Sequence, residues 1–232
     1  MSHKPNGAFG DAHENIVRKV DLSDSIGNPV AFGLFGFSMQ LTLIGLLNAG
    51  YIEPDGAVVV YSFVLVAGVL QLIVTGLAML IKKNLFGAVA FTVLGSFAIS
   101  MAMFNLLLLT GAVQLHGPIN KAITAVFAIY AYIGFILMIA SVKMDVVGFL
   151  NFVGVVLVFS TGAAASYLNN PSLTLASAWI TILTGISGFY VATGAFLGET
   201  FRRPVLPMGD FSRLRKVPVT ERTDSGATVF MG

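Results

Sequence analysis

The polar side chains within the apolar stretches of this chain are neutral, among them Asn48, Gln71, Thr92, Ser96, Asn105, Thr161 and Ser166. Amides and hydroxyls exchange hydrogen bonds with a small solute, but without an adjacent base, acid or metal they do not cleave bonds. No Asp, Glu, Lys, Arg or His lies deep in those stretches. Ion pumps and proton-coupled carriers usually keep an ionisable group inside the membrane despite its cost, and membrane hydrolases need a base or metal beside their nucleophile. The chain has no Cys, and its three His (His3, His13 and His116) fall outside the apolar stretches. Neither catalysis nor a cofactor is expected. Glu199, Lys143 and Asp145 sit at the ends of the stretches and read as interfacial anchors.

Spacing gives two of the amides a shared context. Asn48 lies eleven residues after Phe37, and Asn105 eleven after Leu94. On a helix, eleven steps return to within about 20° of the same face and advance roughly 16 Å. Two parallel helices would then carry a bulky apolar residue near mid-membrane and an amide toward one mouth. Singly, each amide reads equally well as a cap or a bridge to a neighbouring helix. The repeated spacing favours an amide-lined vestibule that leads to an apolar constriction. Such a path suits a small solute with a polar head and little charge, because a bare ion crossing an apolar ring loses its hydration. A weak acid avoids that cost by crossing protonated.

The elements that must hold these residues follow from charge placement. Of 232 residues 56% are apolar and 10% charged, where a soluble domain carries about 25% charged residues. A net charge of +2 leaves no electrostatic footprint for nucleic acid. Charge-free intervals run over 25–52, 56–81, 84–120, 122–142 and 146–198. About 20 apolar residues cross the hydrocarbon core, and the last interval is broken at Asn169-Asn170-Pro171, a turn after which Pro opens a new helix. The expectation is an all-α polytopic membrane protein with helices near 29–49, 57–81, 86–110, 121–142, 146–168 and 172–197. Residues 1–27 and 199–232 form tails around the 28–198 membrane domain. In a six-span arrangement Lys121 alone of the 13 Lys and Arg falls on one side, which places both termini, and every other Lys and Arg, in the cytoplasm of a cell-membrane protein.

The first, third and fifth helices share a motif of apolar, Gly, two apolar, a variable residue and Phe: Phe32–Phe37, Phe86–Phe91 and Val147–Phe152. The pattern suggests three parallel-repeated helical hairpins with a pathway at their mutual interface. Gly33 with Gly36, Gly185 with Gly188, and Gly194 with Gly198 read first as packing positions. Counted from Asn28, Asn84 and Asp145, the residues Phe37, Leu94 and Val155 lie 9, 10 and 10 positions in. That is roughly 14 to 15 Å at the helical rise, half of a core about 30 Å thick.

The block Asn28-Pro29-Val30-Ala31-Phe32-Gly33-Leu34 resembles the Asn-Pro-Ala-Pro-Leu-Gly-Leu signature of the acetate uptake transporter family. The likeness continues through Asn48-Ala49-Gly50-Tyr51, Gln71, Ala90-Phe91-Thr92 and Gly95-Ser96-Phe97, and ends with Trp179, Tyr190, Glu199-x-Phe201 and Val205-Leu206-Pro207-x-Gly209. It implies a homo-hexamer with a pore in each protomer, embedded in the lipid bilayer and passing acetate, succinate and related short carboxylates or their acids. It also implies an apolar triad of Phe, Tyr and Leu at the narrowest point, matched here by Phe37, Leu94 and Val155. Only Phe37 is retained; Leu94 lacks the hydroxyl and Val155 a methylene, which makes the ring drier and wider. Asn28, which opens the matching block, joins Asn48, Gln71, Thr92, Ser96 and Asn105 as a candidate pathway residue. A channel for ammonia or a neutral metabolite, and a non-transporting sensor or assembly protein, are the competing readings; the chain offers no sizeable soluble domain for the latter.

Overall fold

The computed structural model describes residues 26–209. The tail 1–27 lies outside that range apart from its last two positions, as do Arg213, Arg215, Lys216 and Arg222 of the second tail. Six helices are long and apolar enough to cross a membrane. They are α1 (Val30–Asn48), α2 (Pro54–Ile81), α3 (Leu85–Leu109), α4 (Asn120–Ser141), α5 (Val146–Leu168) and α6 (Pro171–Phe201). No strand occurs among the described residues. Apolar side chains such as Phe63, Val66, Ile129, Tyr132, Leu150 and Leu183 project outward on every side, as a bilayer requires.

The helix starts are written in short polar side chains. Asn84 accepts from the Gly87 N–H at 2.9 Å and Asp145 from the Gly148 N–H at 2.7 Å. Asn170 takes the N–H groups of Ser172 and Leu173, with Pro171 at the first helical position where a missing N–H costs nothing. The glycine of the repeated motif is therefore a capped third residue in α3 and α5. In α1 it sits one position deeper, because Pro29 is the flanking residue and the Gly33 N–H bonds the Pro29 carbonyl at 3.2 Å. There Gly33 serves packing instead: a Cβ on it would come within 2.6 Å of the Phe91 ring.

Two elements depart from the expected ones. α2 is not uniform: a 3₁₀ turn at Pro54–Gly56 opens it, and Leu70–Gly76 forms a π-helical segment. That segment turns Gln71 and Thr75, both fully buried, toward α1. Helix α6 runs past the expected position 197 to Phe201 and stops where Arg202 takes a left-handed conformation, φ 53°. The chain then doubles back. The Arg203 N–H bonds the Gly198 carbonyl, the Met208 and Gly209 carbonyls accept from Val147 and Val146, and the Tyr190 hydroxyl donates to the Pro207 carbonyl at 3.0 Å.

Packing follows chain order around a ring. α1 packs most extensively on α6, α4 on α5, α5 on α6, and α2 on both α1 and α3. The α3–α4 pair barely touches, so the packing does not single out the expected hairpin of the third and fourth helices. The long connection from Thr110 to Ile119 permits that separation. Glycine makes the α1–α6 contact close. A Cβ on Gly45 would lie 2.9 Å from the Ile182 nitrogen, and one on Gly185 would lie 2.9 Å from the Thr42 nitrogen. Gly194, by contrast, faces Met208 of the returning segment, and a Cβ on Gly198 would meet only the Arg203 carbonyl at 3.7 Å.

Candidate functional site

The ring encloses two cavities that approach each other from opposite ends. The first, about 290 Å³, lies between α1, α3, α4, α5 and α6 on the Asn48 side. The second, about 270 Å³, lies on the side of Asn84, Asp145 and Met208. Phe37 and Leu94 line both. The two cavities are thus separated at these side chains, and Val155 lines the first cavity beside them. Phe37, Leu94, Val155 and Phe159 form one buried apolar cluster. The approach to equal depth from three helix starts brings the first three together; Phe159 is one turn beyond Val155 on the same face of α5.

Aromatic rings thicken this cluster on one side. Phe97 stands edge-on to Phe159 with centroids 4.8 Å apart and to Phe127 at 5.5 Å, and Tyr130 lies 4.8 Å from Phe97. Edge-to-face pairs of this kind hold their geometry better than aliphatic contacts of the same area. The hydroxyl of Tyr130 meets Ser96 Oγ at 3.2 Å, and neither residue lines the two cavities.

The candidate pathway residues divide. Asn48 lines the first cavity, as does Ser166, whose hydroxyl donates to the Asn120 carbonyl at 3.3 Å. Asn105 does not line it; its amide bonds the Met101 carbonyl of its own helix at 2.8 Å. The shared eleven-residue spacing therefore does not produce a pair of amides at one mouth. α3 contributes to that cavity only as far as Ala98, beyond which the α4 residues Ile123 and Phe127 form the wall. Thr92 donates to the Ala88 carbonyl and presses its methyl toward Gly76 of α2. Gln71 is buried between α1 and α2, donating to the Gly33 carbonyl at 3.4 Å and accepting from Gln40 at 3.2 Å. It reaches the first cavity only through Gln40, which lines it. Asn28 is exposed and accepts from the Val30 N–H at 3.1 Å, lining neither cavity.

Several lining polar groups escaped sequence reasoning. Gln40 follows Phe37 by three residues and so shares its face, a signal the sequence did carry. Thr174, Ser177 and Thr181 repeat along one face of α6 on the first cavity. Asn151, buried at 5% exposure, lines the second cavity. It occupies the variable position of the repeated motif, where neither α1 nor α3 has a polar residue. Among the described residues that line either cavity, Asp145 is the ionisable one. Both walls are mostly apolar, and the described residues offer a small solute hydrogen bonds, shape and low charge.

Residues 14–209 match the GPR1/FUN34/yaaH family. The chain is 29% identical over 189 residues to the succinate-acetate/proton symporter SatP of Escherichia coli strain K12, spanning 80% of this chain and 96% of that protein. The protein of the same name from Shigella flexneri matches to the same extent. The solved structure of the bacterial acetate channel SatP superposes with a TM-score of 0.73 at 28% identity, covering 79% of this chain and 99% of that one.

Proposed function

The chain belongs to the GPR1/FUN34/yaaH family, and from that membership we propose that it is a multi-pass membrane channel or transporter for acetate and related short carboxylic acids. The observation that carries the reading is the pair of cavities meeting at Phe37 and Leu94. A path open from both ends to one apolar partition sorts solutes by width and hydration rather than by chemistry performed on them. On this reading Phe37, Leu94 and Val155 are the constriction, Asn48 and Gln40 belong to one vestibule, and the second vestibule faces the cytoplasm. The cytoplasmic assignment rests on Lys82, Lys83, Lys143, Arg202 and Arg203 at that end against Lys121 at the other.

Assembly as a homo-hexamer belongs to the same reading. α4 is the least buried span within the protomer and presents Ile129, Tyr132, Ile136 and Ile139 outward, an apolar face for a neighbouring copy or for lipid. The decisive experiment is uptake of labelled acetate into liposomes containing the purified protein. Uptake well above protein-free vesicles, competed by unlabelled propionate, is expected. Rates equal to those of empty vesicles, or competition by methylammonium in place of short acids, would replace the reading.

A further inference from the structure

Part of the wall of the second cavity is supplied by the segment that doubles back after α6, from which Met208 lines it. The segment turns at both ends. Arg202 and Gly209 have positive φ, 53° and 73°, and between them the chain climbs back along α6. Met208 Sδ lies 3.0 Å from the point that a Cβ on Gly194 would occupy. Gly194 is seven residues before Phe201, roughly 10 Å along the helix. The missing Cβ is thus a socket that the thioether fills, and an unbranched methionine, with three rotatable side-chain bonds, can leave it.

Few bonds hold the segment there. The Val146 and Val147 N–H groups, which open α5 and have no partner within it, donate to the Gly209 and Met208 carbonyls at 3.4 and 3.1 Å. The Tyr190 hydroxyl donates to the Pro207 carbonyl at 3.0 Å. That carbonyl belongs to the planar peptide unit joining Pro207 to Met208, so Tyr190 fixes the plane from which the Met208 side chain departs. Asn84 and Asp145 line the same end of the cavity, and each is pinned by the first turn that it caps, through the Gly87 and Gly148 N–H groups. Met208 is attached to no such turn. It is the adjustable part of this mouth.

We propose that Met208 is a second sieve of the path, in series with the partition at Phe37 and Leu94, and that Tyr190 is its positioning residue. The thioether seated against Gly194 sets the width of the mouth, and release of the Pro207 carbonyl lets the segment swing at Arg202 and Gly209 and widens it. The proposal rests on the channel reading above and adds a residue that sorts solutes by width before they reach the partition.

Thiol labelling tests this in a chain without Cys. Leu34 lines the second cavity one turn from Phe37, and Ser177 lines the first cavity. Purified Leu34→Cys protein in detergent, where both ends are reachable, is timed with methanethiosulfonates bearing a methyl or a benzyl group. The benzyl reagent should react several times more slowly while Met208 is present. Met208→Ala should close most of that gap, Met208→Leu should keep it, and Tyr190→Phe should speed the benzyl reaction about fivefold, the worth of one hydrogen bond. A thiol at Ser177 should react at one rate in all these backgrounds. The Tyr190→Phe variant decides the matter if Met208→Ala does not fold. A benzyl-to-methyl ratio that neither variant alters overturns the proposal, as does an equal change at Ser177, which marks general loosening. Labelling does not depend on acetate. Acetate uptake with an unaltered ratio removes the sieve and leaves the carboxylic-acid reading standing, whereas the expected ratios without acetate uptake support the sieve and change the solute.

Discussion

Truncating a core residue and truncating a gate have opposite signs, and that difference tests the partition at the level of single side chains. Loss of a packed Phe or Leu costs about 2 to 5 kcal/mol of stability, whereas removal of a ring that closes a path widens it. Phe37→Ala and Leu94→Ala are expected to raise the flux of butyrate or lactate relative to acetate, normalised to folded protein. An unchanged order of acids in both variants would remove these residues from the constriction. Their placement was legible in the sequence because depth along a helix is a matter of counting from a cap. The fixed orientation of the Asn151 amide was not, since a single amide among apolar neighbours says nothing about which way its nitrogen faces. Orientation comes from Thr184 and Ser187, which are more than thirty residues away in the chain. Asn105 failed in the opposite direction: its spacing copied that of Asn48, but a helical face becomes a cavity wall only where a neighbour leaves space.

Between elements, the crossing of α1 and α6 is set by backbone against backbone. Gly45→Ala and Gly185→Ala would each press a methyl to within 2.9 Å of a facing main-chain nitrogen, so relief requires the helices to part rather than a side chain to rotate. Overpacking of this kind costs about 1 to 3 kcal/mol. Both variants should melt several degrees lower in detergent, while Gly198→Ala, with only a distant carbonyl beside it, should melt like the wild type. The six spans themselves could be counted from charge-free lengths, and three of their starts from Asn84, Asp145 and Asn170. The π-helical segment in α2 could not, because the shift to a wider turn is decided by where Gln71 and Thr75 find burial against α1. The end of α6 was misplaced for a related reason. Glu199 and Thr200 look like the beginning of a polar tail, yet the helix persists until the backbone reverses at Arg202.

For the whole molecule, the alternation of six spans gathers the starts of α1, α3 and α5 at one end, and on the proposed reading the bias of Lys and Arg assigns that end to the cytoplasm. In this Cys-free chain, His116→Cys should react with an impermeant thiol reagent applied to intact cells and Lys143→Cys only after the membrane is opened; the reverse pattern would invert the protein. The number of the spans was readable from charge, whereas the closing of the ring through α1 and α6 depends on close glycine contacts, and neither it nor the thin seam between α3 and α4 is announced by any periodicity. The wall shared by the two cavities has a consequence for stoichiometry. A neutral acid that slips past Phe37 and Leu94 takes its own proton along, one for each molecule, so obligatory co-transport needs no separate proton-binding carboxylate within the bilayer. For such a neutral species, a purely passive wall would impose no direction of its own. Net movement stops when the protonated species is equal on both sides, and the ionised form then accumulates in the more alkaline compartment, about tenfold for each unit of pH.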